Sequence, residues 1–277
     1  MKQFLLTLMI ITGLLQGVDA QSLRSNRFEE YTLSLGGGYT GLIDTYLSPL
    51  CYGGGHVALQ SERFGQLTSK NGRWFAQSLF TLHGDYTVPR SGSGLTIGGM
   101  ADYSYTYYYR PLHEEGWSLY AGSQGQLRMG GIYNLRNSNN PAQLKLGVNL
   151  AASVMGKYAF ILWHTPMSVR LQADVPLLGF AFAPNYGQSY YEIFYLGQDE
   201  NCVHVTALHN NLSLRTGFSY DVQFHSCTVR LSLLSDLYHW TLGNQQYRMF
   251  THSLMLGYVS NLYHVLRDDE VKRYIPY

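Results

Sequence analysis

From Leu95 to Arg110 the chain reads LTIGGMADYSYTYYYR, and its side chains alternate in kind without interruption. Leu95, Ile97, Ala101, Tyr103, Tyr105, Tyr107 and Tyr109 fall on one parity; Thr96, Asp102, Ser104, Thr106 and Arg110 fall on the other. Successive side chains of a strand point to opposite faces, so the segment is one strand with an apolar face and a polar one. It is roughly twice as long as the mean strand of a soluble protein. That length suits a tilted crossing of a bilayer with a residue or two projecting at each side.

The rest of the chain reads as copies of this element. Strands are expected at 28–39, 53–67, 73–87, 95–110, 117–131, 144–163, 167–175, 211–224, 226–237 and 247–262. Asn71-Gly72 is a strong hairpin signal, and Gly156, where alternation blurs, is expected to be a bulge. The odd-numbered connections come out longer than the even ones, as in outer-membrane barrels, where periplasmic turns are short and outer loops long. An even strand count then returns both termini to the periplasm. Trp74, Tyr107, Tyr109, Trp117 and Trp163 all fall at the expected periplasmic ends, where an aromatic girdle belongs. The expected fold class is all-β, an antiparallel transmembrane (outer-membrane) β-barrel of about ten strands, within a range of about eight to twelve. A soluble, secreted β-protein is an alternative, but it leaves the strand length and the clustered tyrosines unexplained.

Composition supports the barrel. Charged residues are only 13% of the chain, against roughly 25% in soluble domains, yet the mean hydropathy is slightly negative. Strands that are half lipid-facing and half polar resolve that tension. The first residues, MKQFLLTLMIITGLLQGVDAQ, read as a signal peptide over 1–20 with the cut at Ala20/Gln21. The single domain would be 21–277, with a long extracellular loop at about 176–205. The net charge of +1 gives no basic patch for nucleic acid.

Three stretches, LIDTYLSPLCYGG, NSNNPAQLKL and LWHTPMSVRLQADVPLLGFAFAPNYGQSYYEIF, resemble a family of exported proteins common in Bacteroidota, a domain of unknown function. The resemblance covers most of the mature chain and implies a Gram-negative envelope protein, located in the outer membrane after export. It carries over no catalytic residues.

Parity places Asp85, Asp102, Arg128, Lys145, Arg170, Asp174, Arg215, Asp221 and Arg230 on the polar faces and so inside the barrel. A barrel of this width is nearly filled by side chains, so these charges either line a narrow pore or form a salt-bridged plug. The plug is the preferred reading. In the long seventh connection, Asn185, Tyr186, Tyr190, Tyr191 and Glu192 combine aromatic area with polar tips, a mix suited to sugar or protein contact. Packing of these aromatics on the rim would explain them as well. Asp44 and Tyr46, placed in the first connection, raise the same choice.

No enzyme is expected. A lipid-cleaving barrel would pair serine and histidine on one strand face, two residues apart. His225-Ser226 and His252-Ser253 are adjacent and point to opposite faces, and His209 and Ser213 are four apart. Asp199, Glu200 and His204 only faintly echo a proteolytic rim. An outer-membrane hydrolase acting on lipid or peptide at the rim is kept as the alternative to a structural, narrow-pore or surface-binding role. The ten histidines show no recurring ligand spacing, so no metal or cofactor is expected. The expected partners are outer-membrane lipid, the barrel-assembly machinery, and a small solute or surface partner of unknown identity. Cys51 and Cys202 both fall in outer connections and leave a disulfide open. The tail DDEVKRYIPY is too polar for a strand, although its Tyr277 echoes a terminal assembly signal.

Overall fold

The computed structural model describes residues 28–67, 72–92, 94–137, 140–198, 200–224 and 227–261. The signal peptide, Asn71, Asp199, His225, Ser226 and the tail lie outside the described residues. The strands are β1 (Glu29–Asp44), β2 (Ser48–Gln66), β3 (Trp74–Pro89), β4 (Thr96–Glu114), β5 (Trp117–Asn134) and β6 (Ala142–Leu162). They continue with β7 (Thr165–Phe182), a short helix α1 (Tyr190–Phe194), β8 (Val203–Ala207), β9 (Leu214–Gln223), β10 (Thr228–Leu242) and β11 (Gln245–Asn261).

Every neighbouring pair is antiparallel, β11 pairs with β1, and β6 pairs with β7, so the sheet closes. The wall has ten positions, because β8 and β9 share one. Both run along β7, β8 against 178–182 and β9 against 167–174. Between them 208–213 leaves β7 and bonds to β10, with Leu212 N–H donating to His239 O and Thr241 N–H to Asn210 O. The Asn210 side chain covers the free edge of β8: it accepts from Ala207 N–H and donates to Val205 O. An uncovered edge would be a template for a foreign strand.

The strands run farther than the sequence suggested. β1 continues to Asp44 and β2 begins at Ser48, so LIDTYLSPLCYGG is mostly strand around a tight turn at 45–47, not a long loop. That reading missed 40–44 and 48–52, where Leu42 and Tyr52 put apolar side chains on the inward parity. The glycine runs 36–38 and 53–55 are strand, as expected, and are sites of close backbone approach: a side chain at Gly38 would strike the His252 carbonyl. The expected loop from Pro176 likewise starts late, since β7 reaches Phe182. Pro176 pairs with Ala151 at a register shift between Leu150 and Ala151, where a residue lacking an N–H is tolerated. That is where the bulge lies; at Gly156 the ladder is regular. With these extensions most of the loop-length asymmetry disappears, and 183–213 alone remains long. The connections 115–116, 163–164 and 243–244 are two-residue hairpins with both residues at positive φ, the twist that suits a hairpin.

Side chains alternate inside and out along each strand. Outward stand Leu33, Leu35, Val57, Leu127, Val148, Leu171, Leu231, Leu254 and Leu256, all exposed; inward stand Thr32, Glu62, Thr81, Asp102, Gln124, Arg128, Asp174 and Arg230, all buried. A closed barrel with an aliphatic outside and a charged inside is a transmembrane barrel. The tyrosine ladder of β4 faces out toward the end where β1 begins and β11 ends. There Trp74 packs on Tyr109 at 5.2 Å and Trp117 on Tyr158 at 4.5 Å between ring centroids. The expected girdle exists.

Candidate functional site

The lumen is layered. At the end carrying the 45–47 turn, here the upper end, an apolar layer is built from Leu42, Tyr46, Leu47, Tyr52, Trp240, Tyr247 and Met249 with their neighbours. At the lower end Phe64, Phe75, Tyr108, Tyr120 and Met155 make a second apolar layer, with Phe64 and Phe75 stacked 5.5 Å apart. Between and around these layers run charge networks.

All nine charged residues assigned to the interior lie there. Arg128 grips Asp102 with two hydrogen bonds, of 2.6 and 2.9 Å, and lies over the Tyr238 ring. Arg215 bonds Asp236 at 2.7 Å and also approaches Asp102 at 3.4 Å. Lower down, Arg230 donates to both Asp221 oxygens, to Glu62 and to Glu30. Arg170 holds Glu62 through bonds of 2.6 and 2.7 Å. Asp174 accepts from Ser153 and Gln172. Lys145 pairs with Asp44 at 2.8 Å, so Asp44 is an interior strand residue and not a loop contact. Asp85 accepts from Thr40 at 2.7 Å.

Glu30, Glu62 and Asp236 were missed. Their signal was present: Glu30 shares parity with Thr32 and Ser34, and Asp236 with Arg230 and Ser232. Each buried arginine thus has its acid, as burial of charge requires. Two cavities among these side chains hold about 40 Å³, beside Glu62, Gln77, Arg170 and Ser219, and about 10 Å³, beside Ser104, Arg128 and Trp240. Such volumes suit one or a few waters.

The long connection caps the upper end. Ser189 starts α1 with a capping box, its hydroxyl accepting from Glu192 N–H while Glu192 accepts from Ser189 N–H. The Ser189 N–H and hydroxyl, both donating to Glu192 Oε2, hold its carboxyl below its ordinary range. Tyr190 turns inward: its hydroxyl accepts from Leu144 N–H at 2.6 Å, and burial pushes it up to about 12. Tyr46 donates to Gln188 O at 2.7 Å and packs edge-on against Tyr190. Asn185 bonds within the loop, through its N–H to Gln188 and its side chain to Glu200 O. Of the five loop residues singled out from sequence, Tyr186 and Tyr191 are the ones that face solvent. Tyr191 stacks on Tyr195 at 4.8 Å, and Phe194 and Tyr195 are also exposed, an addition the sequence reading did not make. Cys51 and Cys202 are free, one exposed and one buried, so the disulfide left open does not form.

Serine and histidine do meet, but across strands. On β11, His252 faces out and Ser253 faces in. Outside, His252 Nδ1 lies 2.7 Å from Ser235 Oγ of β10. Inside, Ser253 Oγ lies 2.6 Å from His56 Nε2, whose other nitrogen is 3.0 Å from Thr40 Oγ1. His204 Nε2 meets Ala183 O, and Ser213 Oγ donates to Asn211 Oδ1. Among the described residues no group of three or more His, Cys, Asp or Glu could hold a metal ion.

A family model described as "Protein of unknown function (DUF3316)" matches residues 4–268. None of the curated proteins matches the chain. Among solved structures, the chain is similar to the transport unit of the autotransporter AIDA-I from Escherichia coli, at 10% identity and a TM-score of 0.40, covering 91% of this chain and 96% of that one. It is similar also to the β domain of the Bordetella autotransporter BrkA, at 14% identity and a TM-score of 0.41, covering 84% and 98%.

Proposed function

The chain belongs to the DUF3316 family, and we propose that it is a sealed outer-membrane barrel whose work is done on its surfaces, not through its lumen. One observation carries this reading: buried arginine–carboxylate networks fill the barrel between two apolar layers, and the upper layer lies under the cap of 183–202. An ion crossing would have to break bidentate pairs such as Arg128–Asp102 and then enter apolar layers, both costly. The setting is the Gram-negative envelope, with the Bacteroidota origin that the sequence resemblance implies. Outer-membrane lipid and the barrel-assembly machinery are the partners this location entails. The exposed Tyr186, Tyr191, Phe194 and Tyr195 give the cap a recognition face for a sugar or protein outside the cell.

The test is conductance of refolded protein in planar bilayers, alongside fractionation and heat-modifiable migration. Outer-membrane recovery with electrical silence is expected. A steady current that is lost in Arg128→Glu and Arg215→Glu would overturn the sealed lumen, and a freely soluble product would overturn the barrel in its membrane.

A further inference from the structure

The outer wall of β10 and β11 carries a polar interruption that the ladder does not need. Its backbone groups are paired from Thr228↔Val259 to Leu242↔Gln245, so the side chains outside are free to be apolar. Around the middle of the wall they are. Leu231 faces Leu256, Leu233 faces Leu254, and Leu237 faces Phe250. Between the last two pairs stand Ser235 and His252, directly opposite each other and hydrogen-bonded at 2.7 Å. His252 is exposed and Ser235 half-buried, so both are open to whatever covers the wall.

Above them is a cation. Arg248 lies opposite His239 and donates from Nε to His239 Nε2 at 3.2 Å. It makes no ion pair among the described residues, whereas the interior arginines are each matched to carboxylates. Arg248 and His252 are four residues apart on one strand face, about 13 Å along the strand and on the order of 10 Å in depth at the usual tilt. Reading down the wall, the order is guanidinium, apolar pair, serine–histidine pair, then leucines. An anionic glycerolipid has the same order: phosphate, glycerol, ester, acyl chain.

We propose that this strip is an acyl-ester site that cleaves an acyl chain from an anionic glycerolipid lying against the barrel. A serine hydroxyl becomes a nucleophile when a base sits within hydrogen-bond reach, and Nδ1 of His252 is that base in the tautomer protonated at Nε2. Ser235 Oγ attacks the ester carbonyl and its proton passes to Nδ1. The bond from the acyl carbon to the glycerol oxygen breaks, Nδ1 returns the proton to that oxygen, and the lysolipid leaves. Interfacial water then attacks the acyl-serine, again losing its proton to His252, and releases the fatty acid while Ser235 recovers its own. Arg248 holds the phosphate, and the leucines hold the acyl chains. The inner pair, Ser253–His56, cannot do this, since both residues are buried in the lumen where no ester reaches. The activity does not depend on whether the lumen is sealed.

The experiment incorporates refolded full-length protein into vesicles of phosphatidylglycerol or of phosphatidylcholine and follows lysolipid and fatty acid by mass spectrometry. Release above protein-free vesicles is expected, with the anionic lipid preferred. Ser235→Ala and His252→Asn should each lower it about 100-fold or more while heat-modifiable migration stays that of a folded barrel. A fluorophosphonate probe should label Ser235, and the label should be lost in His252→Asn. Arg248→Gln should raise KM for phosphatidylglycerol more than for phosphatidylcholine, whose phosphate already has the choline cation beside it. Folded protein that releases no product from either lipid overturns the proposal, as does release that survives Ser235→Ala. Equal turnover of the two lipids, unaltered by Arg248→Gln, overturns the anionic assignment.

Discussion

The two serine–histidine pairs sit back to back on β11, one through each face of the same wall, and they differ in nearly everything but composition. Inside, His56 is bonded at both nitrogens and continues through Thr40 to Asp85. Outside, His252 has one hydrogen-bond partner, Ser235, and apolar neighbours, with the Tyr39 and Phe250 rings among the leucines. The same division holds for arginine. Arg230 has three carboxylates within 3 Å and is 2% exposed, while Arg248 has only the His239 imidazole and lies open. Polar groups inside are held by one another, so their loss should register as stability. Polar groups outside are held loosely, so their loss should register in what the wall contacts.

The sharpest break between the faces is at arginine. Arg230→Met strips the acids Glu30, Glu62 and Asp221 of a shared partner and should cost about 3–5 kcal/mol, read as a lowered urea midpoint of the refolded barrel. Arg248→Met should change that midpoint by no more than about 1 kcal/mol. Equal losses at the two sites would erase the distinction. Charge added outside should follow next in size: Leu256→Arg, deep on the lipid-facing wall, is expected to cost about 2–4 kcal/mol, and Tyr107→Arg in the girdle about 0–1 kcal/mol. If Tyr107→Arg were the more damaging, the assignment of the lower aromatic ring to an interface would fail.

Which face a residue occupies was legible from parity alone. The period-2 pattern put Asp102, Arg128, Arg170, Asp174, Arg215, Asp221 and Arg230 inside, and put Tyr103, Tyr105, Tyr107 and Tyr109 outside, because a strand leaves no other choice. What parity does not contain is register. Ser235 and His252 are far apart in sequence and opposite each other only because β10 and β11 turn at 243–244. A search for serine and histidine two apart on one strand could not find them. Strand ends were illegible for a different reason: Leu42 and Tyr52 sit on the inward parity and build the upper apolar layer, so the polar-inside pattern fades there.

The paired serines offer a finer cut. Ser253→Ala leaves His56 Nε2 buried without a partner and should cost about 1–3 kcal/mol. Ser235→Ala leaves His252 exposed on the outer wall, not sealed in the lumen, and should cost less than about 0.5 kcal/mol. A double-mutant cycle of each serine with its histidine measures the contrast directly. Strong coupling outside and none inside would reverse the argument drawn from burial.

The smallest effect is expected in the cap, which lies outside the membrane and touches water. Glu192 is half-buried in the cap, and its carboxyl is held low by the Ser189 N–H and hydroxyl. A carboxyl whose folded pKa lies below its unfolded value adds stability above the unfolded value and gives it up as pH falls through the folded one. The cap of α1 should therefore be unchanged at neutral pH and loosen only below the ordinary carboxylate range. Hydrogen exchange at Ile193 and Tyr195, whose N–H groups bond back to Ser189 and Tyr191, reports that loosening locally. Glu192→Gln should raise exchange there at neutral pH and remove the acid-dependent step, and the barrel strands should be unmoved in both. If the strands exchanged together with α1, the cap would be part of the lumen's charge network and not a surface laid over it.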